Sequence, residues 1–139
     1  MKGDKIKYKK GYKNQLVEDY HIFTGIIPNK FVVDTPLIKL DMSGWLTIKT
    51  GYAWDGASGP TWDTPSVIRA SLVHDALYQL MRDEKISLTN REKADSLLRS
   101  IMIEDGANWF RAWYYYRAVQ WAGLKVATVE GEREIITAP

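Results

Sequence analysis

The stretch that decides the fold reads Pro65-Ser66-Val67-Ile68-Arg69-Ala70-Ser71-Leu72-Val73-His74-Asp75-Ala76-Leu77-Tyr78. Its apolar residues recur with the period of an α-helix. Thr64 can cap the amino terminus of this helix, and proline is favoured at the first helical position. One face of the helix collects Val67, Ala70, Ser71, His74, Leu77, Tyr78 and Met81. We therefore predict a helix that begins at Pro65 and carries His74 on its half-buried face.

The chain before this helix has the pattern of short β-strands. Apolar and polar residues alternate in Trp45-Leu46-Thr47-Ile48-Lys49, which predicts one face toward a core and the other toward solvent. Turn signals containing proline or glycine separate the segments. The predicted strands are Leu16–Thr24, Phe31–Val33, Leu37–Leu40 and Trp45–Thr50.

Two further helices are predicted toward the carboxyl end. Thr89-Asn90-Arg91-Glu92 has the form of a capping box, and the apolar stripe after it consists of Ala94, Leu97, Leu98, Ile101 and Met102. A third helix over residues 108–122 carries aromatic residues on every side, which predicts burial within the fold or an oligomer interface. The expected fold class is α+β: a small N-terminal antiparallel sheet followed by about three packed helices.

The length of 139 residues fits one domain, 1–139. We divide it into a basic arm (1–13), a strand-rich part (14–52), a site loop (53–64), a helical part (65–123) and a tail (124–139). The sequence contains no cysteine, which excludes disulfides, thiol catalysis and thiolate metal sites within this chain. Any metal must therefore be held by oxygen or imidazole ligands.

Six lysines crowd the first thirteen residues, where Asp4 is the single acid. Such a run is typical of a frayed, solvated arm, and the alternative is contact with a polyanion or a membrane surface. The arm lacks the apolar stretch of a signal peptide, and no run approaches the roughly 18 apolar residues of a membrane span. The default expectation is a cytoplasmic protein.

Side chains capable of proton transfer occur on the first two predicted helices. Because the connection over residues 83–89 is short, we expect the second helix to return antiparallel to the first and to bring Asp95 to His74. A carboxylate bonded to one ring nitrogen fixes the tautomer and leaves the other nitrogen to take a proton from water. Tyr78 can hold this carboxylate by its hydroxyl, or Arg91 can pair with it and keep it ionised. We predict catalytic roles for His74, Asp95 and Tyr78.

A cation site is predicted beside this histidine. The segment Asp55–Pro60 can turn sharply at its glycines and offer backbone carbonyls, with Gly56 and Ser58 as further site residues. Asp75 points about 100° away from His74 around the helix. Asp55 and Asp75 can therefore hold one hard cation, Ca²⁺ or another divalent ion. A metal that polarises a carbonyl beside a histidine that activates water makes a hydrolase site.

Four motifs occur in a fixed order in the region from Trp45 to Gly123. They are Gly51-Tyr52-Ala53-Trp54-Asp55-Gly56-Ala57-Ser58-Gly59-Pro60, Ala70-Ser71-Leu72-Val73-His74-Asp75-Ala76-Leu77-Tyr78, Arg91-x-x-Ala94-Asp95 and Tyr116-x-Ala118-Val119-x-x-Ala122-Gly123. The set resembles a family of phage and prophage proteins catalogued as domain of unknown function 1353. That resemblance implies a phage or prophage origin, and the host cytoplasm or the virion as the location.

A second, local similarity concerns the reaction. The pair His74-Asp75 with Tyr78, followed by a helix with Ala94-Asp95, is similar to the active-site helices of secreted and parvoviral phospholipases A2. It implies that His74 is the water-activating base, that Asp75 is a calcium ligand, and that Tyr78 and Asp95 hold the histidine. The loop from Trp54 to Gly59 departs from the tyrosine- and glycine-rich calcium loop of those enzymes.

Three functions remain open from the sequence. The first is a metal-dependent hydrolase that acts on cell-envelope material, either lipid ester or peptidoglycan. The second is a virion or tail-assembly component that binds phage structural proteins and uses the polar cluster as a structural network. The third is a small host-modulating protein that binds a nucleotide or a protein. Nucleic acid is not an expected partner, because Arg111 and Arg117 are the only basic residues among the aromatics of the third helix.

Overall fold

A computed structural model describes residues 6–9, 14–54 and 65–122 of the chain. Within these ranges the strands are β1 (Tyr8–Lys9), β2 (Asn14–Leu16), β3 (Tyr20–Phe23), β4 (Val33–Asp34), β5 (Ile38–Leu40), β6 (Trp45–Ile48) and β7 (Ala53–Trp54). The α-helices are α1 (Pro65–Arg82), α2 (Arg91–Glu104) and α3 (109–122). This arrangement confirms the predicted α+β class.

The described strands form two antiparallel sheets. One has the order β3-β6-β5-β4 and the other the order β1-β2-β7. In β6 the side chains of Leu46 and Ile48 are buried, opposite Ile22 and Tyr20 of β3. The predicted alternation of Trp45–Lys49 is therefore confirmed, and the buried face of the larger sheet supplies one side of the core.

The predicted single strand Leu16–Thr24 is wrong, because the structure divides it between the two sheets. Leu16 pairs through its backbone with Gly51 and Tyr52, whereas the next three residues are exposed and form a bend. Asp19 stabilises the bend by accepting hydrogen bonds from the backbone N–H and the hydroxyl of Thr50, at 2.7 Å and 2.9 Å. Three exposed residues in succession break the alternation that a continuous half-buried strand requires.

The basic arm differs from the expectation over the part that the structure describes. Tyr8 and Lys9 pair with Leu16 and Gln15, and the Tyr8 ring lies 5.9 Å from the ring of Trp54. Tyr8 and Lys9 are therefore part of a sheet, and the carbonyl of Lys7 accepts a hydrogen bond from the backbone N–H of Val17, so this part of the arm is not frayed. The rest of the arm, residues 1–5 and 10–13, lies outside the described residues.

Helix α1 lies at the centre of the molecule and is buried along most of its length. Its predicted face is confirmed, since six of the seven residues are buried and Tyr78 is partly buried. Two hydrogen bonds join the helix to the two sheets. Arg69 donates to the hydroxyl of Tyr20 at 2.7 Å, and the indole N–H of Trp54 donates to Oγ of Ser71 at 3.1 Å. The predicted cap, Thr64, lies outside the described residues.

The predicted capping box at the start of α2 is wrong. A 3₁₀ turn over Leu88–Asn90 precedes the helix, and its cap is Ser87, whose hydroxyl accepts a hydrogen bond from the backbone N–H of Thr89 at 3.1 Å. Helix α2 therefore begins at Arg91. Its buried residues are Ala94, Asp95, Leu98, Ile101 and Met102, with Leu97 partly buried against the core.

Helix α1 packs antiparallel on α2. Near the amino end of α1, the guanidinium of Arg69 binds both carboxylate oxygens of Asp105, at 3.0 Å and 2.9 Å, and the carboxylate of Glu104 at 2.8 Å. Glu104 is the last residue of α2 and Asp105 follows it, at the end of the helix where a positive charge is also favourable to the helix dipole. The contact fixes which end of α1 meets which end of α2.

Helix α3 is buried on one side only. Ala112 and Tyr115 are buried, whereas Trp109, Phe110 and Tyr114 are exposed. The predicted burial of the aromatic helix thus holds for a narrow face, and most of its aromatic side chains lie on the surface. Among the described residues, no helix combines the length and apolar composition that a membrane span requires.

We expect Gly44→Ala to lower the free energy of unfolding more than Gly106→Ala. Both glycines have a positive φ, +97° and +104°, so an alanine costs about 1–2 kcal/mol at either position. A Cβ at position 44 would also lie 2.9 Å from Cα of Gly25, whereas at position 106 no atom of the described residues lies within 4 Å. Urea denaturation of both variants measures the difference, and equal losses would contradict this account of the turn.

Candidate functional site

His74 and Asp95 meet between α1 and α2. Nε2 of His74 lies 2.7 Å from Oδ1 of Asp95. The hydroxyl of Tyr78 donates to the same oxygen at 2.8 Å, and the rings of His74 and Tyr78 lie 4.3 Å apart. The contact expected from helix order and connection length is therefore present, and Tyr78 completes the group on the same helix face as His74.

The buried hydrogen bond to Asp95 determines which ring nitrogen of neutral His74 carries the proton. Asp95 is 2% exposed and His74 is 9% exposed. An ionised carboxylate only accepts hydrogen bonds, so Nε2 of His74 carries the proton and Nδ1 of the neutral ring keeps a lone pair. No described residue forms a hydrogen bond with Nδ1. The arrangement can accept a proton at Nδ1 while Asp95 stabilises the resulting imidazolium.

The hydroxyl of Tyr78 remains a hydrogen-bond donor under ordinary conditions. Burial raises the pKa of Tyr78 well above its usual value, and the negative charge of Asp95 raises it further. The positive charge of Arg91 acts in the opposite direction and is the weaker effect. Tyr78 therefore holds the carboxylate of Asp95 over the whole pH range in which His74 can act as a base.

Arg91 does not form the alternative pair with Asp95. Within the described ranges, the ion pair of Asp95 is the contact with His74, and no ion pair joins it to Arg91. Arg91 is partly buried at the first position of α2, where its charge reaches Tyr78. Arg91 therefore acts on Tyr78 through its positive charge, which lowers the pKa of that hydroxyl.

Asp75 lies on a different side of α1 from His74. Burial raises the pKa of Tyr52, and the negative charge of Asp75 raises it further. The hydroxyl of Tyr52 is 3.4 Å from Oε1 of Gln79, one turn along α1 from Asp75. The sequence pattern did not indicate Tyr52 or Gln79, because neither stands at a spacing typical of a known site.

The proposed cation ligands are only partly described by the structure. Asp55, Gly56 and Ser58 lie outside the described residues. In the part of the chain that is described, no three His, Cys, Asp or Glu side chains form a group that could hold a metal. The described end of this segment is Trp54, which is tied to Ser71, three residues before His74 on α1.

A protein-family model matches a large part of the chain. This model, described as protein of unknown function (DUF1353), matches residues 31–119, more than half of the chain, and includes His74, Tyr78 and Asp95. No curated protein and no solved structure matches the chain.

The hydrogen bond between His74 and Asp95 can be tested by NMR of the ring N–H proton. In the neutral ring, we expect the Nε2–H proton of His74 to be observable and protected from solvent exchange, because Asp95 accepts it in a buried site. The other histidine of the sequence, His21, lies on the exposed side of β3 and serves as the reference in the same spectrum.

Tyr78→Phe should keep this protected proton, whereas Asp95→Leu should abolish it. Leucine has a similar size and cannot accept a hydrogen bond, and circular dichroism checks that the variant folds. A neutral wild-type ring protonated on Nδ1 would contradict the assigned geometry.

Proposed function

The chain belongs to the family described as protein of unknown function (DUF1353), and we propose that it is a hydrolase of cell-envelope material, encoded by a phage or prophage. The observation that supports the proposal is the buried group of His74, Asp95 and Tyr78, in which Nδ1 has no partner among the described residues. A purely structural histidine in a protein core usually has both ring nitrogens bonded. A histidine with one nitrogen oriented and the other available can act as a general base, and we propose that the proton it removes is that of a hydrolytic water.

The proposed reaction uses His74 first as a base and then as an acid. Nδ1 removes a proton from water while the water oxygen bonds to the carbonyl carbon of the substrate. Asp95 accepts the Nε2–H bond throughout and stabilises the imidazolium. The proton then passes from Nδ1 to the leaving group as its bond to the carbonyl carbon breaks, which returns His74 to the neutral form. Tyr78 keeps Asp95 in place during both steps.

A divalent cation, with Ca²⁺ as the first candidate, is the proposed cofactor. Asp75 and Asp55 would hold it, and their carboxylate oxygens suit a hard cation. When bound, the ion would stabilise negative charge on the substrate carbonyl oxygen. No group of three or more possible ligand side chains occurs in the described part of the chain, and the proton transfers above use His74, Asp95 and Tyr78 without the ion.

We expect His74→Asn to lower the rate of hydrolysis by about 10²–10⁴-fold, the contribution typical of a general base. Tyr78→Phe should lower it less, because the His74–Asp95 bond remains. The substrates are phospholipid vesicles, assayed by fatty-acid release, and peptidoglycan sacculi, assayed by soluble fragments, each with Ca²⁺ and with chelator.

The matched control is His21→Asn, which removes the other histidine of the sequence from an exposed position of β3 and should leave the rate unchanged. An unchanged rate in His74→Asn would rule out the role of His74. If the wild type cleaves neither substrate and His74→Asn only lowers thermal stability, the polar group is structural and the assembly function replaces the hydrolase.

The cation is tested separately by thermal unfolding. We expect the melting temperature of the wild type to rise with Ca²⁺, Mg²⁺, Mn²⁺ or Zn²⁺ relative to chelator, since an ion at 100 times its Kd stabilises the folded state by about 2.7 kcal/mol. Asp75→Asn should remove the increase. Asp83→Asn, which changes an exposed acid just after α1, is the matched control and should retain it. An equal increase in Asp75→Asn would place the ion elsewhere.

A further inference from the structure

Helix α3 presents a group of exposed aromatic residues, which we call the aromatic face: Trp109, Phe110, Trp113 and Tyr114. Their exposed fractions are 66%, 65%, 38% and 56%. At about 100° per residue, the four positions lie within roughly 140° of the helix circumference, and Arg117 falls inside the same sector. Apolar surface this concentrated marks an interaction site.

The rings of the aromatic face contact one another. The residues of α3 that are buried in the core, Ala112 and Tyr115, lie outside this face. The rings of Trp109 and Trp113 are stacked, with centroids 6.2 Å apart and planes 12° apart, and Phe110 lies 6.1 Å from Trp113. Because the rings contact one another, their exposed faces and edges form one continuous apolar surface. The aromatic face is therefore a defined surface feature, in contrast to scattered single residues.

One edge of the aromatic face adjoins α2. Glu92 accepts hydrogen bonds from Tyr116 and from Gln120, and the guanidinium of Arg99 lies 4.5 Å from the centre of the Tyr116 ring. Ala112, on the same side, is fully buried. These contacts fix the orientation of α3, so the aromatic face points away from the core.

The aromatic face includes a positive charge: Arg117 is exposed within its sector of α3. The sequence contains no aspartate or glutamate between Gly106 and Val129. Tryptophan and tyrosine favour the boundary between lipid headgroups and acyl chains, and arginine binds lipid phosphates. This combination fits a surface that carries negative charge above an apolar layer.

The area of the aromatic face is small for a stable dimer. With about 150–250 Å² for each aromatic side chain, the exposed parts of these four residues and of Trp121, which is 69% exposed in the same sector, amount to roughly 450–750 Å². A stable protein interface buries about 800 Å² on each partner. A bilayer sets no such minimum, because aromatic side chains enter it individually.

We propose that the aromatic face binds the surface of bilayers that contain anionic phospholipid, with Trp109, Phe110 and Trp113 inserted at the headgroup boundary and Arg117 at the phosphates. The inference goes beyond the hydrolase function and does not depend on it. Binding is therefore measured on the His74→Asn variant, with ether-linked lipids that no esterase cleaves.

The test is co-sedimentation with vesicles of phosphatidylcholine, with and without about one-third phosphatidylglycerol. We expect binding to the anionic vesicles, a blue shift of tryptophan fluorescence, and at least about a 30-fold loss of affinity when Trp109→Gln and Phe110→Gln are combined. Arg117→Gln should reduce the preference for anionic vesicles and its dependence on salt.

The matched control combines Trp45→Gln and Phe31→Gln, which remove one exposed tryptophan and one exposed phenylalanine from the strand region. This variant should bind like its parent, and thermal unfolding checks that both double variants fold. Equal binding by the two double variants, or no binding by the parent, would overturn the proposal. A concentration-dependent dimer that Trp109→Gln disperses, without vesicle binding, would also overturn it and would assign the aromatic face to a second copy of the chain.

Discussion

The antiparallel register of α1 and α2 is the constraint on which the rest of the structure depends. Arg69 of α1 binds Asp105 just after α2, and Asp95 near the start of α2 binds His74 and Tyr78. A shift of α2 by one turn, about 5.4 Å, would separate the buried guanidinium of Arg69 from its carboxylates and the buried carboxylate of Asp95 from its donors. Breaking a buried pair such as His74–Asp95 typically costs about 3–5 kcal/mol, so the two contacts together select a single register.

The same contact serves stability and the proposed chemistry. Asp95 needs hydrogen-bond donors because it is buried, and His74 and Tyr78 supply them. Satisfying the carboxylate fixes the tautomer of His74 and the orientation of its ring, which are the conditions for proton transfer at Nδ1. A structural role for Asp95 and a role for His74 as a base are therefore compatible. What separates a catalytic from a structural group is the availability of the second ring nitrogen.

The sequence predicted this helix pair well because the relevant signals are local. A short connection after α1 is enough to place Asp95 beside His74. The division of the predicted strand Leu16–Thr24 was missed because it depends on pairing with Gly51 and Tyr52, which are distant in sequence. The start of α2 was misplaced because two hydroxyl residues, at 87 and 89, compete for the cap. Of the predicted site, the proton-transfer group is described, whereas the loop ligands lie outside the described residues.

The exposure of α3 was not predictable from composition, since aromatic residues occur on every side of it. Contacts with the rest of the fold decide which side is buried: Ala112 and Tyr115 lie in the core, and Glu92 of α2 bonds to Tyr116 and Gln120 at the edge of the aromatic face. Hydrophobicity alone would bury Trp109 in preference to Tyr116. Glu92 stands three residues before Asp95 on the same helix, so α2 sets both the orientation of the aromatic face and the position of the buried carboxylate. A change that moves α2 must therefore alter the proposed binding surface and the proton-transfer group together.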